Sequence, residues 1–429
     1  MIEFVVEGGA PIQGTVVPAG NKNEALPAVA ATLLASGPVT LRNLPRIGDV
    51  RWQISIVEKL GAHVDWLDPH TVRIDPRSLG DQEPDPELCA RIRASFLLAA
   101  PLLARRGHIR LPRPGGDRIG RRRVDTHLLA LSALGATIEV GAEYVLSVRG
   151  PLKGAEIFLD EASVMATENA VMAAAAAEGE TIIYNAACEP HVQGLCHLLQ
   201  AMGARIDGVG SNVLRVQGGA LHGEVEHRIG PDHIEIGSFM GLAAVTGGEL
   251  RIRGVGGTDL RKILMDFRRL GVRTVREGED LLVPGGQRLE VQADLGGAIP
   301  KIDDAPWPGF PADLTSIALV TATQASGTVL IHEKLFESRL FFVDRLISMG
   351  ARIVLCDPHR AVVVGPSPLS AATLSSPDIR AGMALLIAAL AAKGQSRILN
   401  VEQIDRGYEA IEQRLVGLGA RIERISDEA

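Results

Sequence analysis

Aromatic residues are scarce: three Trp, three Tyr and nine Phe make up only 3% of 429 residues, although 46% are hydrophobic. Such a core must be filled by Ala, Val, Leu and Ile, which suits helices packed closely on sheets. Cysteine is scarce too. Cys89, Cys188, Cys196 and Cys356 lie far apart, with no CxxC pair and no clustered His/Cys spacing. Neither a disulfide framework nor a metal site is expected, and buried free thiols are the ordinary reading. Long apolar runs are missing: Ala170 to Ala177 and Met383 to Ala392 fall well short of the roughly 20 residues that span a bilayer. The opening MIEFVVEGGAP has an acid at its third position and no basic region before a long apolar core, unlike a secretory signal. A soluble cytoplasmic protein with no membrane partner is expected. The net charge is -7, with bases scattered among acids, which argues against a nucleic-acid partner and makes any anion site local.

The length exceeds what one core usually serves, so two domains are expected. A repeat runs through the chain. An apolar helical run ends at a Gly, an alternating strand follows, a second helix comes next, and a Leu-Gly-Ala type turn leads into another strand. The closing turns are Leu60-Gly61-Ala62, Leu134-Gly135-Ala136, Met202-Gly203-Ala204, Leu270-Gly271-Val272, Met349-Gly350-Ala351 and Leu418-Gly419-Ala420. Their spacing of roughly 70 residues is longer than that of solenoid repeats. The opening glycines, Gly37, Gly107, Gly179, Gly248, Gly327 and Gly394, are expected to cap helices in the left-handed conformation. Six α+β modules imply two domains of three modules each, with the cleft between them as the natural site.

A few segments break this regular background. In Gly20-Asn21-Lys22-Asn23-Glu24, Lys22 precedes an Ala/Leu-rich helix. A helix start offers free N–H groups and a positive dipole end, so the Lys could complete an anion site, while Asn is equally a helix cap. Asp117 lies between Gly115-Gly116 and Gly120, ahead of Arg121-Arg122-Arg123. The glycines suggest a mobile loop, and the arginines either embrace a phosphate or form a solvated face. In the second half Asp313, Arg339, Arg380 and Arg406 sit at turns, from which several could converge on one cleft. Gly254-Val255-Gly256-Gly257 lacks a P-loop or dinucleotide fingerprint and reads as a turn. No G-x-S-x-G elbow or H-E-x-x-H pair supports a hydrolase or metalloenzyme.

Taken in order, Lys22-Asn23, Arg93-Ala94-Ser95, Gly115-Gly116-Asp117 with Val124-Asp125-Thr126-His127, Ala166-Thr167-Glu168-Asn169, Phe310-Pro311-Ala312-Asp313 and Ile404-Asp405-Arg406-Gly407-Tyr408-Glu409 resemble the UDP-N-acetylglucosamine 1-carboxyvinyltransferases of the EPSP synthase superfamily. The resemblance implies an inside-out α/β barrel fold in two domains, residues 21–231 and residues 1–20 with 232–429. It implies transfer of the enolpyruvyl group of phosphoenolpyruvate to the 3-hydroxyl of UDP-N-acetylglucosamine, without metal or cofactor, opening peptidoglycan synthesis. Lys22, Arg122 and Arg406 match anion-binding positions, and Asn23 lies beside Lys22 in the same motif. Arg93 matches a position near the nucleotide sugar. Arg122, Arg123, Val124, Asp125 and Thr126 would meet the uridine, Ser163 and Val164 the phosphates and Leu335 the sugar. Asp313 would accept the acceptor proton, Asp117 would donate a proton to phosphoenolpyruvate, and Arg339 and Arg380 are further polar positions.

Most relatives carry Cys where this chain has Asp117. A carboxylic acid donates only while protonated, so Asp117 would have to carry its proton at the start of the cycle. The epoxide fosfomycin alkylates that Cys in the family, so resistance is expected here. Arg123 stands where Pro is usual, Met165 where Gly is usual and His191 where an acid is usual, and Arg113-Pro114 lengthens the loop. These departures concern the acceptor side. Two alternatives therefore stand beside the main reading: an enolpyruvyl transferase for another uridine nucleotide, or more remotely shikimate 3-phosphate, and a non-catalytic paralogue that binds nucleotide sugar. Oligomeric state is not legible.

Overall fold

The computed structural model describes residues 2–117 and 119–426. Among these residues the strands form six sheets, five with four strands and one with three. The four-stranded sheets share one plan. In one of them, Lys301–Asp303 runs parallel to Gly327–His332, which pairs antiparallel with Arg360–Gly365, itself antiparallel to Arg352–Asp357. The sheet made by Thr373–Ser375, Gln395–Leu399, Ile2–Glu7 and Arg421–Ser426 repeats it, with the amino-terminal strand in the third place. The three-stranded sheet, His108–Pro112, Glu143–Ser147 and Thr137–Val140, lacks only the parallel edge. The repeat legible in the sequence is therefore a repeated sheet topology.

By their internal contacts the residues fall into two units: Gly20–Asp117 with Arg122–Gly230, and residues 2–19, 119–121 and 231–426. Each has its own apolar core. In the first unit the helices Lys22–Ala31 and Val164–Ala176 are buried along most of their length. In the second, His233–Thr246, Thr315–Ala322 and Ile379–Ala391 are buried on nearly every side. Helices apolar all round must be wrapped by protein, and small residues let them approach closely. The strands that wrap them alternate: Arg360–Gly365 buries every second side chain and turns the others outward. Helices at the centre with sheets outside make each unit an inside-out α/β barrel.

All six closing-turn glycines adopt positive φ, from 84° at Gly271 to 111° at Gly203, a conformation that L side chains rarely reach. The opening glycines are less uniform than expected. Gly107 is a left-handed helix cap, but Gly37 and Gly248 do not have positive φ. Gly248 is small for a different reason: a Cβ there would lie 1.9 Å from the carbonyl oxygen of Ile12. The thiols also differ from expectation. Cys89, Cys188 and Cys196 are buried, but Cys356 is exposed, because it faces outward on the edge strand Arg352–Asp357.

Candidate active site

In the first unit, Asn21 caps the helix Lys22–Ala31, its side chain accepting from the backbone N–H groups of Asn23 at 2.8 Å and Glu24 at 3.2 Å. Lys22 thus opens a capped helix, and its Nζ pairs with Oδ2 of Asp49 at 2.7 Å. Asp49, at the start of Gly48–Lys59, was not singled out from the sequence. Only its burial beside Lys22 marks it.

Arg93 begins the 3-10 turn Arg93–Leu98 and donates through Nη2 to the carbonyls of Arg122 at 2.9 Å and Arg123 at 2.7 Å. Burial, with Arg122 adding to it, pulls the Arg93 guanidinium down to about 10. Arg93 therefore fixes the backbone of the expected uridine segment. Within that segment Arg123 reaches Asp125 at 2.9 Å and Asp160 at 2.8 Å, while Thr126 donates to Asp160 at 2.6 Å. Asp160 is another residue the sequence reading passed over. Val124 is buried, and the next turn carries His127, whose Nδ1 lies 2.9 Å from Nδ2 of Asn169. Burial, reinforced by Arg93 and Arg122, lowers the His127 imidazole to about 3, so the ring is neutral. Ser163 caps Val164–Ala176, its Oγ accepting from the Ala166 N–H at 3.4 Å. That places Ser163 and Val164 at a helix N-terminus, where backbone N–H groups and the dipole favour anions.

Asp117 is half-buried. Its two preceding glycines serve packing: a Cβ on Gly115 would lie 1.7 Å from the carbonyl oxygen of Ala90, and Gly116 has a φ of 104°. The Gly115 N–H donates to Cys89 at 3.1 Å. Tight seating against residues 89 and 90 accounts for these glycines.

In the second unit, Asp313 lies in the 3-10 turn Ala312–Leu314. Its Oδ1 accepts from Nη2 of Arg339 at 3.0 Å and its Oδ2 from Nε of Arg380 at 3.0 Å. The two guanidiniums keep only 3% and 5% side-chain exposure, against 28% for Asp313. Burial lowers the Arg380 value, but Asp313, Tyr408 and Asp232 together outweigh it and the net shift is upward. Arg380 is set by its helix: Asp378 caps Ile379–Ala391, accepting from the N–H groups of Arg380 and Ala381. Three scattered residues of the sequence thus form one cluster. Leu335 is exposed, and its N–H donates to Asp304 at 3.2 Å. Arg406 is buried and donates to Gln403 at 2.8 Å. The following Gly407 permits a close approach, since a Cβ there would lie 2.4 Å from Ile379. The arrangement offers an anchored carboxylate that can take a proton, with cations that can hold anions.

Among the described residues no group of three His, Cys, Asp or Glu side chains could hold a metal ion. No helix among them is long and apolar enough to cross a membrane. Two surface hollows, of about 400 Å³ around Asp259, Arg261 and Arg276 and about 250 Å³ around Arg46, Arg51 and Trp66, contain none of these residues.

Residues 6–415 match the family of EPSP synthase (3-phosphoshikimate 1-carboxyvinyltransferase). The chain belongs to this family. Within it, proteins named UDP-N-acetylglucosamine 1-carboxyvinyltransferase are similar over their whole length: that of Bradyrhizobium diazoefficiens is 56% identical, with 99% of each chain covered. That of Treponema denticola is 55% identical, again with 99% of each covered. Among solved structures, the enolpyruvyl transferase NikO from Streptomyces tendae superposes with a TM-score of 0.87 at 26% identity, covering 99% of this chain and 98% of NikO. EPSP synthase from Acinetobacter baumannii shares the fold, with a TM-score of 0.73 at 18% identity over 99% of this chain and 100% of its own.

Proposed function

We propose that this protein transfers the enolpyruvyl group of phosphoenolpyruvate to the 3-hydroxyl of UDP-N-acetylglucosamine and releases phosphate, the first committed step of peptidoglycan synthesis, in the cytoplasm. The observation that carries this reading is full-length identity of 55 to 56% to proteins of that name. Asp313, anchored by Arg339 and Arg380, removes the acceptor proton as oxygen attacks C2 of phosphoenolpyruvate. Asp117 gives its proton to C3. The tetrahedral adduct then loses a proton from C3 and phosphate from C2, restoring the double bond. Lys22, Arg122 and Arg406 bind the phosphate and carboxylate and offset the charge that develops. Arg93, Asn23 and the segment Arg122 to Thr126 position the nucleotide, with Ser163, Val164 and Leu335. We take residues 21–231 as one domain and the remainder as the other.

A second reading is transfer to a different uridine nucleotide. It is favoured by Arg123, whose ion pairs with Asp125 and Asp160 place a charged network in the segment assigned to the base. Phosphate release measured with phosphoenolpyruvate and a panel of acceptors decides between them. Turnover with UDP-N-acetylglucosamine supports the first reading, and turnover only with another uridine nucleotide replaces it with the second. Nucleotide binding without phosphate release under any pairing refutes both.

A further inference from the structure

The two guanidiniums that hold Asp313 are backed by different chemistry. Behind Arg380 lies the ring of Tyr408, its centroid 5.4 Å from the guanidinium carbon, and the tyrosine hydroxyl shares a 2.8 Å hydrogen bond with Ser238. The carboxylate acting on that side is Asp232, buried as well, which acts on both Arg380 and Tyr408. Behind Arg339 lies a second carboxyl: Oε2 of Glu333 is 3.7 Å from Nε of Arg339, an ion-pair distance longer than a hydrogen bond. Glu333 is fully buried. So is Asp304, which accepts from the backbone N–H groups of Lys334 and Leu335.

Acids outnumber the two buried guanidiniums: Asp313 meets both, Glu333 and Asp378 act on Arg339, Asp232 acts on Arg380, and Asp304 lies beside Glu333. If all of these acids were ionised, negative charge would be left uncompensated in a region nearly closed to water, which is costly. Asp313 is met by both arginines, and Asp304 accepts from two backbone N–H groups. Glu333 is the one left to carry a proton. Burial pushes its carboxyl up to about 9, Arg339 opposing the rise and Asp304 adding to it. An ionised Glu333 would also compete with Asp313 for Arg339.

We propose that Glu333 is a positioning residue for the transfer reaction: it steadies the Nε side of Arg339 so that Nη2 faces Asp313 and fixes the direction in which that carboxylate takes the acceptor proton. The proposal rests on Asp313 being the acceptor base. Glu333 is buried, so it acts through Arg339 and leaves substrate affinity alone. As a neutral acid it supplies a carbonyl oxygen, which a glutamine amide also supplies in the same place.

The test compares Glu333→Gln with Glu333→Leu in the full chain, following phosphate release, both KM values and thermal unfolding. Glu333→Gln is expected to keep kcat within about threefold of the natural protein. Glu333→Leu is expected to lower kcat by at least about tenfold, with both KM values within about twofold. In an Arg339→Lys background, Glu333→Leu should cost less than about threefold more, because the geometry it protects is already lost. If Glu333→Leu does not fold, Glu333→Met makes the same comparison. Undiminished kcat in the leucine or methionine variant, loss in Glu333→Gln equal to that in Glu333→Leu, or fully additive losses with Arg339→Lys would each overturn the proposal while leaving the reaction assignment standing. Failure of the natural protein to release phosphate with UDP-N-acetylglucosamine would overturn the assignment itself, and this proposal with it.

Discussion

Nζ of Lys22 lies 2.7 Å from Oδ2 of Asp49, with the two side chains only 9% and 6% exposed. The ammonium sits at the positive end of a helix, a place that repels cations, so Asp49 is what makes a buried lysine tenable there. Asp49→Ala leaves that charge desolvated and is expected to destabilise the protein by about 3 kcal/mol in chemical denaturation. Lys22→Ala is expected to lower kcat/KM for phosphoenolpyruvate by about 100-fold or more, with nucleotide binding by calorimetry little changed.

The clamp on Asp313 depends on planar donors. Arg380 presents both Nε and Nη2 within 3.0 Å of the same carboxylate oxygen, a geometry that an ammonium cannot reproduce. Arg380→Lys is expected to lower kcat by about tenfold or more despite keeping the charge, and Asp313→Asn to abolish turnover. Steady-state phosphate release checks both, with nucleotide affinity as the control.

The family resemblance implies that Asp117 stands where most relatives carry a nucleophilic thiol. Because a thiolate attacks an epoxide carbon far more readily than a carboxylate does, fosfomycin is expected to leave the natural protein active and to inactivate Asp117→Cys in a time-dependent way. Asp117→Asn is expected to bind nucleotide and release no phosphate. Rapid inactivation of the natural protein by the epoxide would contradict the role given to this residue.

His127 makes stability depend on pH. Its imidazole titrates near 3 in the fold, from burial and then from Arg93 and Arg122, against a reference of 6.5. Between those values the unfolded chain binds the proton and the folded one does not. The contribution of His127 is therefore complete above about pH 6.5 and is lost as the pH falls toward 3, roughly 3 kcal/mol of it by pH 4. His127→Gln, measured by denaturation from pH 7 to pH 4, is expected to flatten that decline.

The cysteines should separate by burial. Burial pushes Cys89 to about 11 and Cys196 to about 12, and also raises Cys188, whereas Cys356 is exposed. A thiol-specific chromophore is expected to report one fast thiol in the native protein and four after denaturation. A second fast thiol would show that a buried site opens readily.

The fold was legible because the repeat is a matter of local chemistry. Gly61, Gly135, Gly203, Gly271, Gly350 and Gly419 each stand where the backbone takes positive φ, so the turn writes itself into the sequence. The site was less legible. Asp313, Arg339 and Arg380 looked like separate surface charges until the structure placed the carboxylate between two buried guanidiniums. Asp49, Asp160, Asp304 and Glu333 escaped notice because a lone acid carries no spacing signal, whether in a helix as at Asp49 or between elements as at the other three. Its role comes from long-range neighbours, such as Lys22 for Asp49 or Arg123 and Thr126 for Asp160. Gly115 invited a reading of mobility, whereas the carbonyl of Ala90 leaves no room for a side chain. Close approach and flexibility demand the same residue and cannot be told apart from sequence.

The central claim is tested most directly by running the reaction with phosphoenolpyruvate and UDP-N-acetylglucosamine in heavy water and analysing the nucleotide product by mass spectrometry and NMR. Protonation of C3 followed by loss of a C3 proton predicts UDP-N-acetylglucosamine enlarged by one enolpyruvyl group, bearing deuterium on its vinyl carbon. Recovery of the nucleotide sugar unchanged, or a product whose vinyl carbon carries no deuterium, would contradict the account.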